Sequence, residues 1–162
     1  MSQSGSFGVN YKTVFTTANN LSLPAKLRTV GSLPEGEFVF VQADGAIDQY
    51  GFVKIEQDGQ AAMLTTTNAG SNGLLVGVAQ VAAADNEYLW VWIGGPLAGG
   101  ASKGIKGKIA ASYVAKKNLQ TTATAGVADD ASTTVIRNVV GLTATTGAAA
   151  VELSATGHLR VN

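Results

Sequence analysis

The chain has 162 residues, which suits one domain or two small packed lobes. It has no cysteine and one histidine, His158, so disulfides, thiolate metal sites and any site with two imidazoles are excluded. Its 11 basic and 11 acidic side chains balance, which disfavours a nucleic-acid binder because such proteins need a basic excess to neutralise phosphates. The charged fraction of 14%, below the roughly 25% of ordinary soluble domains, indicates a surface that packs against other protein.

Residues 1–34 are predicted to form an extended N-terminal arm, because they are polar and rich in Thr, Asn and Ser. They lack the apolar core of a signal peptide, and no apolar run in the whole chain approaches the ~18 residues of a membrane span. The arm is expected to lie on another chain, with aromatic anchors and positive charges as candidate interface residues: Phe7, Tyr11, Phe15, Lys12, Lys26 and Arg28. The alternative is an arm that folds back as an edge strand on its own lobe.

Residues 35–97 are predicted to form a β-lobe, because short apolar runs alternate with turn signals such as Asp-Gly. The run 88–93 has a period of two that places Tyr88, Trp90 and Trp92 on one face, while its other face is also apolar. Both tryptophans are therefore predicted to be buried, in the core or between subunits, rather than exposed as a glycan-binding or base-stacking platform. A short helix over 79–84 is the one helical segment that the pattern allows.

Residues 98–108 are rich in glycine and lysine and are predicted to be a flexible basic connector. Its charges Lys103, Lys106 and Lys108 are further candidate interface residues. A phosphate-binding loop is excluded, because the Gly-Lys pair at 107–108 lacks both the upstream glycine and the following hydroxyl.

Residues 109–162 are predicted to form a second β-lobe. Turn signals at intervals of roughly 8 to 12 residues then predict an all-β protein, with a sandwich or barrel-like body of one or two similar small lobes.

The two lobes appear as a weak repeat, in which Gly77 aligns with Gly141 and Gly95 with Gly157. Coincidence in a chain rich in Ala, Gly and Thr is the alternative. Charge is also segregated: residues 35–87 carry eight acidic side chains against Lys54 alone, and residues 103–117 carry five lysines and no acid. Opposed blocks favour pairing between copies or with a partner, and scattered solvated charge is the alternative.

No catalytic, cofactor or metal site is predicted, so the chain is expected not to be an enzyme. His158 has no nucleophile motif around it and is interpreted as a surface or turn histidine. The acids Asp85, Asp129 and Asp130 match no EF-hand loop, and a hard-cation site made of loop carboxylates and carbonyls remains the alternative.

Three segments of the first lobe resemble the head decoration, or cement, proteins of tailed bacteriophages: Val39-Phe40-Val41 before Asp44-Gly45, Leu75-Val76-Gly77-Val78-Ala79, and Trp90-Val91-Trp92-Ile93-Gly94-Gly95. The second half is similar to that family in Asn118-Leu119-Gln120-Thr121-Thr122, Ala125-Gly126-Val127, Val140-Gly141-Leu142 and Gly157-His158-Leu159-Arg160-Val161. The resemblance covers most of residues 35–162 and rests on Gly, Val and Ala patterns.

The resemblance implies a β-rich structural protein, usually a homotrimer, on the outer capsid surface of a virion. Its partners would be copies of itself and the major capsid protein, with no nucleic acid, membrane or cofactor, and it would tie neighbouring capsomers together. Two other classes stay open: a phage tail or fibre domain that grips host glycan through its tryptophans, and a β-barrel with a closed apolar ligand cavity.

Overall fold

The computed structural model describes residues 9–16, 27–70, 73–95, 101–131 and 134–162, without the side chains of 101–103. In these ranges the chain forms twelve strands and no helix, which confirms the all-β prediction. The helix allowed over 79–84 is absent, and Ala83 instead forms an isolated β-bridge to Ile47. The strands are β1 (Val14–Phe15), β2 (Val30–Leu33), β3 (Gly36–Ala43), β4 (Phe52–Ile55), β5 (Gln60–Met63), β6 (Leu75–Ala79), β7 (Tyr88–Gly94), β8 (Ala101–Ile109), β9 (Asn118–Thr121), β10 (Ala128–Asp129), β11 (Val135–Gly141) and β12 (Ala149–Val161).

Strands β3 to β7 close into a five-stranded barrel. β3 pairs in parallel with β5, and antiparallel pairing then joins β5 to β4, β4 to β6, β6 to β7 and β7 back to β3. The turns that allow this path need left-handed backbone at Gly45 (φ 83°) and Gly59 (φ 91°), which glycine adopts without a steric penalty. The Asp-Gly pairs therefore end β3 and β4 where the sequence predicts turns.

Strands β8 to β12 close into a second barrel with the same order of pairing. β8 pairs in parallel with β10, and β10, β9, β11, β12 and β8 then follow one another in antiparallel pairs. Each strand of the first barrel thus has a counterpart in the second. Even a strained position recurs, because Tyr50 and Lys116 both have φ 64° and donate their N–H groups to the equivalent carbonyls of Ala79 and Gly141.

The strand registers correct the alignment of the repeat. Val91 lies opposite Ala79 in the first barrel, and Leu153 lies opposite Gly141 in the second. Gly141 therefore corresponds to Ala79 and not to Gly77. The sequence alignment erred because both runs contain a glycine among β-branched residues, and only the pairing shows which strand positions match.

Two clusters of buried side chains fill the body. The smaller cluster occupies the inside of the first barrel, with Val39, Val41, Val53, Leu89 and Val91 among its members. The larger cluster joins the inside of the second barrel to the outer aromatic face of the first, so it takes residues from both predicted lobes. Its members include Phe38, Phe40, Phe52, Trp90, Trp92, Ile109, Tyr113, Leu119 and Leu153. Burial of this shared apolar surface fixes the two barrels to each other.

The predicted basic connector is wrong for residues 101–108, because they belong to β8. This strand pairs with β12 from Ile109 opposite Ala149 to Ala101 opposite Ser154. Its composition conceals a period of two, in which Ile105 and Ile109 are buried and the lysines between them point outward. A side chain at Gly107 would meet the Phe52 ring at 2.8 Å, so this glycine permits close packing of the barrels rather than flexibility.

The prediction that the arm leaves its own body is wrong for its described residues. β1 pairs with β7, with Val14 opposite Leu89 and Phe15 opposite Tyr88, and β2 pairs with β3. The alternative of an edge strand on its own lobe is therefore what these residues show. Composition misled because the few apolar side chains of the segment suffice to cover an aromatic face that another part of the chain supplies. Phe7 and Lys26 lie outside the described residues.

Candidate interaction surfaces

Three of the predicted interface residues, Tyr11, Lys12 and Lys106, line one groove at the junction of the barrels. The groove has a volume of about 350 Å³, and its other walls are Gln49, Tyr50, Gln80 and Val81 of the loops after β3 and β6, with Gly104 of β8. The structure therefore brings together part of the N-terminal segment and part of the lysine block, which are far apart in sequence. We call this the junction groove.

The aromatic anchors of the N-terminal segment contact the first barrel itself. Tyr11 stacks on Phe38 with ring centres 4.8 Å apart, and Phe15 packs edge-on against Phe40 at 6.0 Å. Burial, followed by the negative charge of Glu35, raises the pKa of Tyr11. Lys12 lies over the Tyr11 ring, with its ammonium 5.6 Å from the ring centre. Both aromatic anchors therefore pack against their own subunit rather than against another chain.

Lys106 and Lys108 of β8 make hydrogen bonds and an ion pair to the first barrel. The buried Gln80 side chain accepts from the N–H of Lys106 at 3.0 Å and donates to its carbonyl at 2.8 Å, so it acts as one more strand partner. Lys108 donates its backbone N–H to Tyr50, and its ammonium lies 2.7 Å from Asp48. The basic and acidic blocks therefore pair partly within one molecule. The backbone of Lys103 lies in β8, while its side chain is not described.

Three further acidic side chains lie at the loop end of the first barrel, which we call the acidic end: Asp44, Asp85 and Glu87. Asp85 accepts from the N–H of Gly45 at 2.8 Å, which holds the loops after β3 and β6 together. Glu87 accepts from the N–H of Ala84. Asp44 and Asp85 are exposed, and none of the three enters an ion pair with a described cation.

Three arginines lie near the opposite ends of β4 and β6, where the second barrel joins the first, and we call this the arginine end: Arg28, Arg160 and Arg137. Arg137 and Arg160 are direct cross-strand neighbours on β11 and β12, and both are exposed. Arg160 also faces Leu75 of β6 and shares a pocket of about 390 Å³ with Arg28. Each guanidinium makes a hydrogen bond, to Gln57 for Arg28, to Gly73 for Arg160 and to Asn162 for Arg137.

The sequence analysis predicted Arg28 as an interface residue but did not select Arg137 or Arg160. Each stands alone among apolar and polar residues in its own strand, as outward-facing charges commonly do. Only the register of β11 and β12 makes them neighbours, so the sequence carried no signal for the pair.

The tryptophans are buried, as predicted. Trp92 has no exposed surface and donates its Nε1–H to the carbonyl of Glu35 at 2.9 Å, and Trp90 is 5% exposed. His158 is half-buried in β12 rather than in a turn, and its Nε2 forms an ion pair or hydrogen bond with Glu37 of β3. This contact joins the two barrels near Gly94, which pairs with His158.

Within the described ranges, no three His, Asp or Glu side chains converge as metal ligands. The acids considered for a cation site have other roles: Asp130 accepts from the N–H of Val114, and Asp129 from that of Asp130. No helix in this part of the chain is long and apolar enough to cross a membrane. A search of family models returned no match, and neither curated proteins nor solved structures gave a similar chain.

Proposed function

We propose that this chain is a structural protein that binds the outer surface of a phage major capsid shell as an oligomer and bridges neighbouring capsomers. The observation that carries the proposal is the single body made by the two barrels. Their shared core, and the backbone bonds that cross between them, give a bridge that transmits load without bending. One such bond joins Gly95 to Gly157, and another joins Phe52 to Gly126.

A rigid body of this kind suits multivalent attachment. Several weak contacts made by one rigid oligomer act as intramolecular contacts once the first has formed, and the gain in avidity is roughly 10²–10⁴. A flexible linker between the barrels would lose part of this gain to conformational entropy. The motifs that resemble capsid cement proteins lie within the same two barrels, at 39–45, 75–79, 90–95 and in the strands of the second barrel.

The two other functional classes have less support. A glycan-binding fibre domain would use the tryptophan rings as a platform, but Trp90 and Trp92 are buried beneath the N-terminal segment and against the second barrel. A ligand-binding barrel would need a closed apolar cavity, whereas buried side chains fill the inside of both barrels. We therefore propose a role in which the outer surface, and not an interior site, makes the functional contacts.

Co-sedimentation tests the proposal. The purified chain is mixed with empty shells assembled from a phage major capsid protein, and unbound protein is removed on a density gradient. Saturable binding, with density for the chain at local symmetry axes in electron micrographs, is the expected result. The bound shells should also withstand chelation or heat better than bare shells.

A Trp92→Ala variant, checked by circular dichroism to be folded, provides the comparison, because it removes a ring from the core that the two barrels share. It should bind shells more weakly, because the two barrels are then held less firmly to each other. Wild-type protein that stays at the top of the gradient at micromolar concentration, with every shell bare, would refute the capsid proposal.

A further inference from the structure

The acidic end and the arginine end carry opposite charge and cannot meet within one molecule. β4 runs from the loop that holds Asp44 to the turn that holds Gln57, where Arg28 binds. β6 likewise begins at Leu75, opposite Arg160, and ends where the loop to Asp85 starts. The acidic end and the arginine end therefore lie beside opposite ends of β4 and β6.

The arginine end has a feature that the fold alone does not require. Two like charges directly opposite each other on an antiparallel pair repel, and this destabilises the sheet. Arg137 and Arg160 occupy such a position, and neither makes an ion pair with a described acid. The nearby acids have other contacts: Glu56 pairs with Lys54, and Asp58 accepts from the N–H of Gln60. A carboxylate from another molecule would relieve this repulsion, and a guanidinium group can bind it through two parallel hydrogen bonds.

The acidic end has the complementary property. Asp44, Asp85 and Glu87 project from two loops that Asp85 fastens together, so their positions are defined before any partner binds. Two lysines of β8 have other acidic neighbours: Lys108 pairs with Asp48, and Lys106 lies opposite Glu152 on the neighbouring strand. The acidic end thus presents three carboxylates on two loops that are bonded to each other. Their number and charge match the three guanidinium groups of the arginine end.

We infer that copies of this chain associate head to tail, with the acidic end of one copy docked on the arginine end of the next. The inference rests on the proposed function, because it supplies the contact through which a decorating oligomer would form. A contact between two different surfaces is heterologous, so it closes into a ring when the rotation between copies allows and continues as a filament otherwise. Ring closure would give the cyclic oligomer expected for a protein at a symmetry axis.

Charge reversal tests the inference in solution, without shells. Sedimentation equilibrium of the wild type should show self-association that weakens in about 0.5 M NaCl, where the screening length is only a few ångströms. Arg137→Glu and Asp44→Lys should each weaken association at least roughly tenfold, because each places like charges across the contact. The double variant Asp44→Lys with Arg137→Glu should regain part of the association, because the two exchanged positions then carry opposite charges again.

Lys116→Glu is the matched control. It makes the same change of charge at an exposed lysine that belongs to neither end, and it should leave association unchanged. Thermal melts of every variant test whether the barrels remain folded. A wild type that is monomeric at about 100 µM, far above the concentration at which a specific contact should form, would overturn the inference. So would two folded single variants that associate like the wild type.

Shell binding separates this inference from the proposed function. A monomeric wild type that still co-sediments with shells would overturn the head-to-tail contact and leave capsid decoration standing. An oligomer that responds to charge reversal as described but ignores shells would support the contact and count against decoration.

Discussion

The two barrels have one topology and opposite outer faces. In the first barrel, the outward positions of β3 and β7 carry Phe38, Phe40, Trp90 and Trp92. The registers place Lys106, Glu152 and Ser154 of β8 and β12 at the positions equivalent to Phe40, Trp90 and Trp92. The first barrel thus presents an aromatic face that must be covered, and the second presents a polar one.

The cover over the aromatic face comes from two sources. The second barrel packs against part of it, and the N-terminal segment packs on the rest through Val9, Tyr11 and Phe15. The comparison shows that a shared strand order is compatible with different outer surfaces, because barrel closure depends on the inward residues and on backbone pairing. The outward residues are then free to decide which barrel is inside the molecule and which is at its surface.

The largest expected difference between the barrels is at Trp92 and its counterpart Ser154. Trp92→Ala should lower the free energy of unfolding by about 3–5 kcal/mol, because it removes a fully buried ring and leaves the Glu35 carbonyl without its donor. Ser154→Ala should cost about 1 kcal/mol or less. Urea denaturation followed by circular dichroism measures both values. Equal losses at the two positions would show that the barrels do not differ in this way.

A second difference is the polar group inside the second barrel, where Tyr113 stands in place of Ile47. The Tyr113 hydroxyl donates to the Lys117 carbonyl at 2.6 Å and accepts from the N–H of Gly141 at 2.9 Å. Tyr113→Phe should cost roughly 1–3 kcal/mol, because the buried N–H of Gly141 loses its acceptor. Tyr50→Phe, at a groove-lining tyrosine, is the control and should cost under about 0.5 kcal/mol. Equal costs would contradict the role given to the hydroxyl.

The same tyrosine predicts a dependence of stability on alkaline pH. Burial raises the pKa of Tyr113 above its ordinary value, so the folded chain keeps this proton longer than the unfolded chain does. Its contribution to stability is fully present below the ordinary pKa of tyrosine, about 10, and is lost as the pH rises from there toward the raised folded value. Tyr113→Phe should therefore lose stability less steeply than the wild type above pH about 10. Identical slopes in urea titrations would contradict this.

Truncating Phe15 tests whether the N-terminal segment stabilises the first barrel by covering its aromatic face. Phe15→Ala should cost about 1–2 kcal/mol, less than a core phenylalanine, because the ring is only half-buried against Phe40. Tryptophan emission should shift to longer wavelength as Trp90 becomes wetter. Both barrels should remain folded, since neither barrel ring includes β1. Loss of all β-structure would instead make the segment part of the folding core.

The smallest effect is expected at the ion pair that spans the barrels. Lys108→Gln breaks the contact to Asp48, but both side chains are well exposed, at 37% and 60%, so solvent screens the attraction. The expected cost is about 0.2–1 kcal/mol at low salt and close to zero at high salt. A larger cost that persists in salt would mean that the pair positions β8 against the first barrel.

Local patterning determined much of this protein. Alternation and Asp-Gly turns placed most strands of the first barrel, and the two-faced apolar run at 88–93 marked the strand on which Trp90 and Trp92 are buried. These features were readable because side-chain period and turn chemistry act over a few residues. The absence of cysteine likewise bounded the chemistry without any structure.

Tertiary structure decided what depends on partners distant in sequence. Residues 101–108 became a strand because β12 offers an edge with matching register, although their composition resembles a linker. The N-terminal segment is held because Phe38 and Phe40 supply the surface that it lacks. Arg137 and Arg160 became neighbours through the pairing of β11 with β12. Strand register and the packing of distant segments depend on interactions across the whole fold. No short stretch of the sequence contains all of those interactions.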